Sequence, residues 1–440
     1  MKLKIAVLAV LAFAAGLAQA QSAPKPAAKP VAKASAAKHA PVAAATPSAP
    51  ATPTQGVSKT EVVLGSIQDL SGPLAGYGKQ IRNGLLLRVE EANEQGGING
   101  RKIRLLIEDD GYDPKKAVLA AEKLVNQEKI FAMVAHLGTA QNMAAMPVQF
   151  EKNVINFFPV TAAREMYEPL NKLAYSYAAT YYDQMRIAAP RMMKDRNLKK
   201  ACIIYQDDDF GQEVLRGAEA GLKSINMQFT EKTSYKRGAT DFSSQVAKMK
   251  AAGCDMVVLG TIIRETVGTV GEARKTGFNP VFVGSSAVYT DLIPKLGGKA
   301  MDGIFATMTS QHPYLDAAEQ PVRFWANKYK TKFNEDPSVF SVYGYGAMDD
   351  FIKAAVKTGN DLNVDSFVKS METMTYNRDM FGTAEMTFSP TKHLGNAFSR
   401  LSEIKDGRWS VVSDYVAFSG LRPVQQKDGK WKVVSEFFQD

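Results

Sequence analysis

Hydroxyl-bearing residues follow three of the apolar runs in the first part of the sequence. Ser71, Thr139 and Thr161 each lie a few residues after such a run. At the carboxyl ends of parallel strands the next helix begins, and its first N–H groups, which have no partner within the helix, can bind an anion. The spacing therefore predicts a site for a small carboxylate, although Ser71 and Thr139 could each be a helix cap and nothing more.

Four tyrosines cluster where the chain is expected to pass from its first half to its second. They are Tyr175, Tyr177, Tyr181 and Tyr182. A tyrosine ring is an apolar body with a polar tip, so such residues can form the wall of a ligand cleft. Packing in the core is the alternative for each of them.

The motifs of nucleotide-binding and hydrolytic enzymes are incomplete or missing. Gly78-Lys79 resembles part of a phosphate-binding loop, but Pro73 and Gln80 replace the glycine and the hydroxyl residue that the loop requires. Gly344-Tyr345-Gly346 lacks the third glycine of a dinucleotide-binding motif and lies in a helical stretch. No Gly-x-Ser-x-Gly or His-Glu-x-x-His motif occurs. These observations favour a binding protein over an enzyme.

Metal ligands and cysteines are scarce. The four histidines are far apart in the sequence, and two cysteines cannot build a zinc cluster, so we expect no metal and no cofactor. Cys202 and Cys254 both lie at or near the start of apolar runs. We therefore expect them to be buried as small apolar side chains and not to form a disulfide.

The positive charge of the chain is concentrated at its N-terminus. The net charge is +9, and residues 1–56 contain six lysines and no acidic residue, which leaves +3 for the other 384 residues. A nearly neutral body with charges of both signs lacks the basic surface that binds nucleic-acid phosphates. We therefore expect no nucleic-acid partner.

The first residues have the pattern of a secretory signal peptide. Two lysines precede an apolar run at 5–17, and Ala18-Gln19-Ala20 supplies the small residues of a cleavage site. We expect residues 1–20 to be removed on secretion and the protein to be periplasmic. No cysteine precedes Cys202, so the lipid-attachment residue of a lipoprotein is not expected.

Residues 21–56 have a composition that differs from the rest of the chain. Alanine, proline and lysine account for 24 of these 36 residues. Proline prevents regular helix, while alanine and lysine supply no core, so the segment is expected to be a disordered linker. A tail that binds an anionic surface is the alternative.

Beyond residue 56, short apolar runs alternate with helical periodicity, and the alternation restarts at Ala201. Two successive series of strand, helix, strand, helix and strand predict an α/β fold with two doubly wound parallel-sheet lobes. The last part of the chain has to rejoin both lobes, so we expect a three-segment hinge near 179–182, 283–286 and 379–383.

These crossings divide the chain between the two lobes. The N-terminal lobe is expected to comprise residues 57–180 and 285–380. The C-terminal lobe is expected to comprise residues 181–284 and 381–440. A hinge of this kind allows the lobes to close over a ligand.

Several motifs resemble those of a known family. They are Ser71-Gly72-Pro73-Leu74-Ala75-Gly76-Tyr77-Gly78, Gly96-Gly97-Ile98-Asn99-Gly100, Glu108-Asp109-Asp110-Gly111-Tyr112-Asp113-Pro114, Asp207-Asp208-Asp209-Phe210-Gly211 and Gly238-Ala239-Thr240-Asp241-Phe242-Ser243. In register over about 57–414, the sequence resembles periplasmic substrate-binding proteins of the leucine/isoleucine/valine-binding type. The resemblance implies a two-lobed monomer that closes on a small molecule and delivers it to the membrane subunits of an ABC importer.

The resemblance also implies particular ligand contacts. Thr139 falls where the family has a serine that holds the ligand carboxylate. Tyr77 and Phe210 fall on positions that form aromatic walls. Glu265 falls on the acid that pairs with the ligand ammonium group.

Other positions depart from the family pattern. The second hydroxyl anchor falls on Ala163, with Thr161 two residues earlier, and an acidic cleft position falls on Tyr181. The positions of the family's first-lobe disulfide hold Tyr112 and Gly138. We therefore expect a branched-chain or other amino acid as ligand, with an aromatic or other non-amino-acid carboxylate as the alternative. A periplasmic enzyme or a sensor partner is less favoured.

Overall fold

The computed structural model describes residues 54–413, 420–425 and 431–436. The predicted signal peptide, the predicted linker up to residue 53 and parts of the expected segment 381–440 lie outside the described residues. Within the described ranges, no helix has both the length and the apolar character that crossing a bilayer requires.

The first part of the chain forms a sheet of five parallel strands in the order β2-β1-β3-β4-β5. The strands β1, β3 and β4 are buried because they are apolar and covered on both faces, as in other parallel sheets. In chain order, its elements are β1 (Glu61–Gln68), α1 (Ala75–Glu94), β2 (Lys102–Asp109), α2 (Pro114–Glu122), β3 (Ala132–Val134), α3 (Thr139–Glu151), β4 (Ile155–Phe157) and β5 (Ala174–Tyr175).

The chain then forms most of a second sheet. The strands from this stretch are mutually parallel and occur in the spatial order β10-β9-β8-β6-β7. The elements are α4 (Tyr181–Asp195), β6 (Ala201–Gln206), α5 (Asp209–Lys223), β7 (Phe229–Tyr235), α6 (Ser243–Ala251), β8 (Met256–Gly260), α7 (Ile263–Lys275), β9 (Val281–Gly284), α8 (Leu292–Gly297) and β10 (Phe305–Met308).

The last part of the chain contributes to both lobes. β13 and β14 extend the second sheet as antiparallel strands beside β10, and the remaining strands form two small antiparallel pairs. These elements are α9 (Gln320–Phe333), α10 (Val339–Thr358), α11 (Val364–Glu372), β11 (Thr375–Tyr376), β12 (Met386–Thr387), β13 (Arg400–Lys405), β14 (Arg408–Val411), β15 (Gly420–Gln425) and β16 (Trp431–Glu436). The predicted α/β fold with two parallel-sheet lobes is confirmed.

Two glycines fix the return of the chain to the first lobe, where α10 packs along α1. A Cβ atom on Gly84 would lie 2.1 Å from the Ser341 carbonyl oxygen, and one on Gly344 would lie 2.2 Å from the Ile81 carbonyl oxygen. Neither backbone oxygen can move away without disturbing its helix. The two helices can therefore approach this closely only because both positions lack a side chain.

The expected crossings need two corrections. The first crossing lies between β5 and α4, close to the expected 179–182. The second does not lie at 283–286, because β10 pairs with β9 and with β13, so the chain leaves the second lobe only after Met308. The third does not lie at 379–383, because Ser176 forms a bridge with Leu394 and holds that part of the chain against the first lobe.

The lobe boundaries change accordingly. Of the expected first-lobe segment 285–380, residues 305–308 belong to the second sheet. Of the expected second-lobe segment 381–440, residues 386–387 belong to the small pair β11-β12, and Leu394 forms a bridge with Ser176 next to β5. Neither crossing can be located from the sequence pattern. β10 is only a short apolar run next to glycine, and the stretch after residue 380 has no clear helical or strand periodicity.

The two cysteines form a disulfide, so the expectation that they would remain unlinked is wrong. Cys202 lies in β6, and Cys254 lies just before β8, which pairs directly with β6. The pairing of these neighbouring strands places the two Cα atoms 5.9 Å apart, within the range that a disulfide spans.

Candidate ligand-binding site

A cleft lies at the carboxyl ends of the strands, between the two lobes. It contains about 610 Å³ of space not occupied by atoms, part of which is open to solvent. Its wall combines loops after strands of both sheets with the first turns of α4 and α10. Five of the predicted contact residues line it, namely Tyr77, Thr139, Thr161, Tyr181 and Phe210.

One side of the cleft has the features of an anion site. The helix α3 begins at Thr139, and no side chain of the described residues caps it. Gly138 precedes it with a φ of +100°, a conformation that L side chains rarely adopt. Gly138 and Thr139 both line the cleft, so α3 starts at the cleft wall, where the positive end of the helix dipole favours a negative charge.

Hydroxyl groups surround this helix start. The hydroxyl oxygens of Thr139 and Thr161 are 2.7 Å apart, and both residues are buried. Burial raises the pKa of Tyr181, and hydrogen bonds with the Ala162 backbone and the Thr161 side chain oppose that rise. A carboxylate placed here would meet backbone N–H groups and up to three hydroxyl donors, which are the partners that stabilise an ionised carboxylate.

Aromatic rings form much of the remaining wall. The ring of Tyr77 stacks on that of Phe340, with centroids 3.6 Å apart and planes 10° apart. The Tyr77 hydroxyl donates to the carbonyl oxygen of Ala287, which follows β9 in the second lobe. Phe210 packs edge-on against Tyr181 at 5.1 Å. The cleft therefore encloses a ligand between flat apolar surfaces.

A buried ion pair joins the lobes at one margin of the cleft. Arg164, from the loop between β4 and β5, donates two hydrogen bonds to the carboxylate of Glu213 on α5, at 2.8 and 2.9 Å. The Arg164 guanidinium also lies over the ring of Tyr182, at 4.0 Å from its centroid. The pair therefore links the two lobes beside the first crossing of the chain.

A model of the periplasmic binding protein family matches residues 61–408 of this chain. The chain belongs to the periplasmic binding protein family. The Leu/Ile/Val-binding protein of Escherichia coli (strain K12) is 26% identical to this binding protein over 292 residues, which are 66% of this chain and 78% of the relative.

Solved structures show the same fold. A branched chain amino acid ABC transporter structure from Thermus thermophilus with bound valine has a TM-score of 0.75 at 17% identity, covering 82% of this chain and 98% of that chain. A fatty acid ABC transporter substrate-binding protein from Thermomonospora curvata has a TM-score of 0.77 at 22% identity, covering 83% and 95% of the two chains.

Two positions that the sequence analysis considered for the carboxylate site, Ala163 and Ser71, lie away from the cleft of this binding protein. Ala163 is fully buried in a small apolar cluster with Met146 and Met166, and it is not part of the cleft wall. The hydroxyl two residues earlier, on Thr161, occupies the wall instead. Ser71 is exposed and bonds to Asp109, so it does not contribute to the anion site.

Glu265 is buried close to the cleft, because its charge, after burial and the charge of Tyr181, helps to raise the pKa of the wall residue Tyr77. The Glu265 side chain is 1% exposed; one carboxylate oxygen accepts from Arg264 at 3.2 Å, and the other has no hydrogen-bond partner among the described residues. Burial raises the pKa of Glu265, although Arg264 opposes this. Burial and then the charge of Glu265 raise the pKa of Tyr235, so the two side chains are near neighbours.

Some wall residues were missed by the sequence analysis. Phe340 and Tyr343 reach the cleft from the first turns of α10, and Gln184 reaches it from α4. Gln184 accepts hydrogen bonds from the Ser286 N–H and from Thr307, and so joins two strand ends. Phe340 and Tyr343 are three residues apart and therefore lie on one face of α10. Only the packing of α10 shows that this face meets the cleft.

The carboxyl group of Glu165 lies next to the Arg164–Glu213 pair, and its raised pKa predicts that closure depends on pH. Burial and then the charge of Glu213 raise the pKa of Glu165 to about 7, although the charges of Arg164 and Arg216 oppose this rise. We expect that pKa to return toward its ordinary value when the lobes part. Closure then takes up a proton, so it is favoured below the ordinary pKa and weakens as the pH rises through about 7.

We therefore predict that the affinity for a bound carboxylate such as leucine is several-fold lower at about pH 8 than at about pH 5.5, as measured by titration calorimetry. Glu165→Gln removes most of that difference. Glu151→Gln, at an exposed position of α3, preserves it. If the difference persisted unchanged in Glu165→Gln, the assignment to this carboxyl would be wrong.

Proposed function

We propose that this protein is a periplasmic solute receptor that captures a small carboxylate-bearing ligand between its lobes and delivers it to the membrane subunits of an ABC importer. The observation that carries the proposal is the uncapped start of α3, surrounded by the hydroxyls of Thr139 and Thr161 inside a closed cleft. Secretion by a cleaved signal peptide and action as a monomer are part of the same proposal.

Each wall residue has a role in this proposal. The α3 N–H groups, Thr139, Thr161 and Tyr181 donate hydrogen bonds to the ligand carboxylate. Tyr77 and Phe210 enclose its apolar part. Closure removes water from the carboxylate, so each of these hydrogen bonds contributes more than it would in an open cleft.

Binding without chemical conversion is supported by the composition of the wall. Among the residues that line the cleft, there is no histidine, cysteine, lysine, aspartate or glutamate. A general base or an activated nucleophile is therefore not available at the position of the ligand. This observation favours a receptor over a periplasmic enzyme.

The ligand is first proposed to be an amino acid, because the Escherichia coli relative is named as a Leu/Ile/Val-binding protein. The same uncharged wall favours a second candidate, a carboxylate without an amino group, since an ammonium group in the cleft would meet no carboxylate. Glu265 decides between the two, because it is buried near the wall residue Tyr77 and one of its oxygens has no hydrogen-bond partner among the described residues.

Removal of one hydroxyl tests the carboxylate site. We predict that Thr139→Val weakens binding of the preferred carboxylate about 10- to 100-fold, the range expected for losing one hydrogen bond to a charged group. Calorimetry would use leucine and 4-methylpentanoate, its counterpart without the amino group. Ser71→Ala, which changes an exposed hydroxyl, should have no effect. An unchanged affinity in Thr139→Val, or conversion of the ligand during incubation, would refute the proposal.

Neutralising Glu265 tests the amino group of the ligand. If an ammonium group pairs with Glu265, Glu265→Gln weakens leucine binding by on the order of 2 kcal/mol, or about 30-fold, because one partner of a desolvated charge pair is lost. Binding of 4-methylpentanoate is then unchanged or stronger. Glu272→Gln, in the same helix but paired with Lys275 at the surface, serves as the control. Equal leucine affinities for Glu265→Gln and the unmodified protein would rule out this pairing, and stronger binding of 4-methylpentanoate than of leucine would then favour the non-amino-acid carboxylate.

A further inference from the structure

Tyr112 lines the cleft, although it is not among the groups proposed to bind the ligand. It lies in the loop between β2 and α2, in the first lobe, and its φ is +62°. This left-handed conformation is unfavourable for a residue with a bulky side chain. The loop therefore holds the Tyr112 side chain in a position that an unconstrained chain would rarely adopt.

Tyr112 is fixed within its own lobe by its backbone. Its N–H donates to the Asp110 carboxylate at 2.9 Å, and its carbonyl oxygen accepts from the side chain of Gln141, in the first turn of α3, at 2.8 Å. Its ring reaches Gly138, since a Cβ atom on that glycine would lie 3.3 Å from the ring carbon Cε2. The two positions that the resemblance assigns to a disulfide, Tyr112 and Gly138, are therefore neighbours at the start of α3, where the carboxylate is proposed to bind.

The side chain of Tyr112 is held by the second lobe. Its hydroxyl accepts from the side chain of Gln206, at the end of β6, at 3.3 Å. The guanidinium of Arg237, which follows β7, lies over its ring at 5.0 Å from the centroid. Gln206 and Arg237 also donate to the carboxylate of Asp208, at 2.6 Å each. Tyr112 therefore connects the start of α3 with a group of three side chains in the other lobe.

This contact lies far from the crossings of the chain. In the first sheet, β2 is four strands away from β5, where the first crossing begins. In the second sheet, β6 and β7 are three and four strands away from β10, where the second crossing begins, and the third crossing leads to β13 beside β10. Neighbouring strands are about 4.8 Å apart, so these edges move farthest when the lobes rotate about the crossings. Opening of the cleft therefore separates Tyr112 from its partners in the second lobe.

We infer that Tyr112 retains the ligand, because its contacts with Gln206 and Arg237 have to break before the cleft can open. This inference rests on the proposed function, in which a carboxylate is enclosed between the lobes. Tyr112 is a positioning residue in this role, since it acts through closure. The contacts oppose release and not entry, so they affect the dissociation rate of the ligand and leave its association rate almost unchanged.

Four labelled probes test the inference and cover both proposed ligand classes. They are leucine and phenylalanine, and 4-methylpentanoate and phenylpropanoate, which lack the amino group. For each probe that binds, a chase with excess unlabelled probe gives the dissociation rate constant. Titration calorimetry gives the affinity, and the two values together give the association rate constant.

Changes at Tyr112 and Arg237 should accelerate release. Tyr112→Ala is expected to raise the dissociation rate constant about 10-fold or more and to leave the association rate constant within about twofold. Tyr112→Phe keeps the ring and loses one hydrogen bond, so the rise is about 2- to 10-fold. Arg237→Gln removes the cation over the ring and also raises the dissociation rate constant. Arg274→Gln is the matched control, because Arg274 lies over the ring of Phe282 within the second lobe and does not line the cleft.

The outcomes separate this inference from the proposed function. Dissociation rate constants that are equal in Tyr112→Ala, Tyr112→Phe and the unmodified protein would overturn the inference and leave the carboxylate receptor in place. Equal effects of Arg237→Gln and Arg274→Gln, or a slower association that accounts for the whole loss of affinity, would also overturn it, because a purely structural role gives these results. An unmodified protein that binds none of the four probes would overturn both.

Discussion

Closure of the two lobes brings polar groups into an apolar space, and the rest of the site follows from this constraint. The first N–H groups of α3 and the hydroxyls of Thr139 and Thr161 lie where water is largely excluded. Leaving such groups without partners costs about 1–3 kcal/mol each. A carboxylate satisfies several of them at once, so a bound ligand and a closed cleft stabilise each other.

The contacts between the lobes hold this arrangement without touching the anion site. The Arg164–Glu213 pair and the hydrogen bond from the Tyr77 hydroxyl to Ala287 both join residues of the two lobes near the cleft margin. A buried ion pair adds little net stability because both charges lose their hydration. Its directional hydrogen bonds instead favour one closed geometry, which fixes the distance between the aromatic walls.

Local patterns in the sequence predicted the parts of the structure that depend on neighbouring residues. The alternation of apolar runs with helical periodicity predicted both lobes. The hydroxyl residue that follows the run of β3 predicted Thr139 as a residue of the site. Contacts between distant segments were not predictable in this way. β10 is too short to show a period, Phe340 reaches the cleft only because α10 packs on α1, and the Cys202–Cys254 disulfide follows from the pairing of β6 with β8. The contact of Glu265 with a ligand stays a prediction, since the residue is buried near the wall residue Tyr77 but is not itself among the residues that line the cleft.

The most direct test of the carboxylate-receptor account is mass spectrometry of the protein isolated without denaturation from the periplasm of cells that produce it. The bound compound would be released and identified, and its ratio to protein measured. The account predicts one compound per protein molecule, bearing a carboxylate and chemically unchanged after prolonged incubation with the protein. A bound compound that has no carboxylate would contradict it.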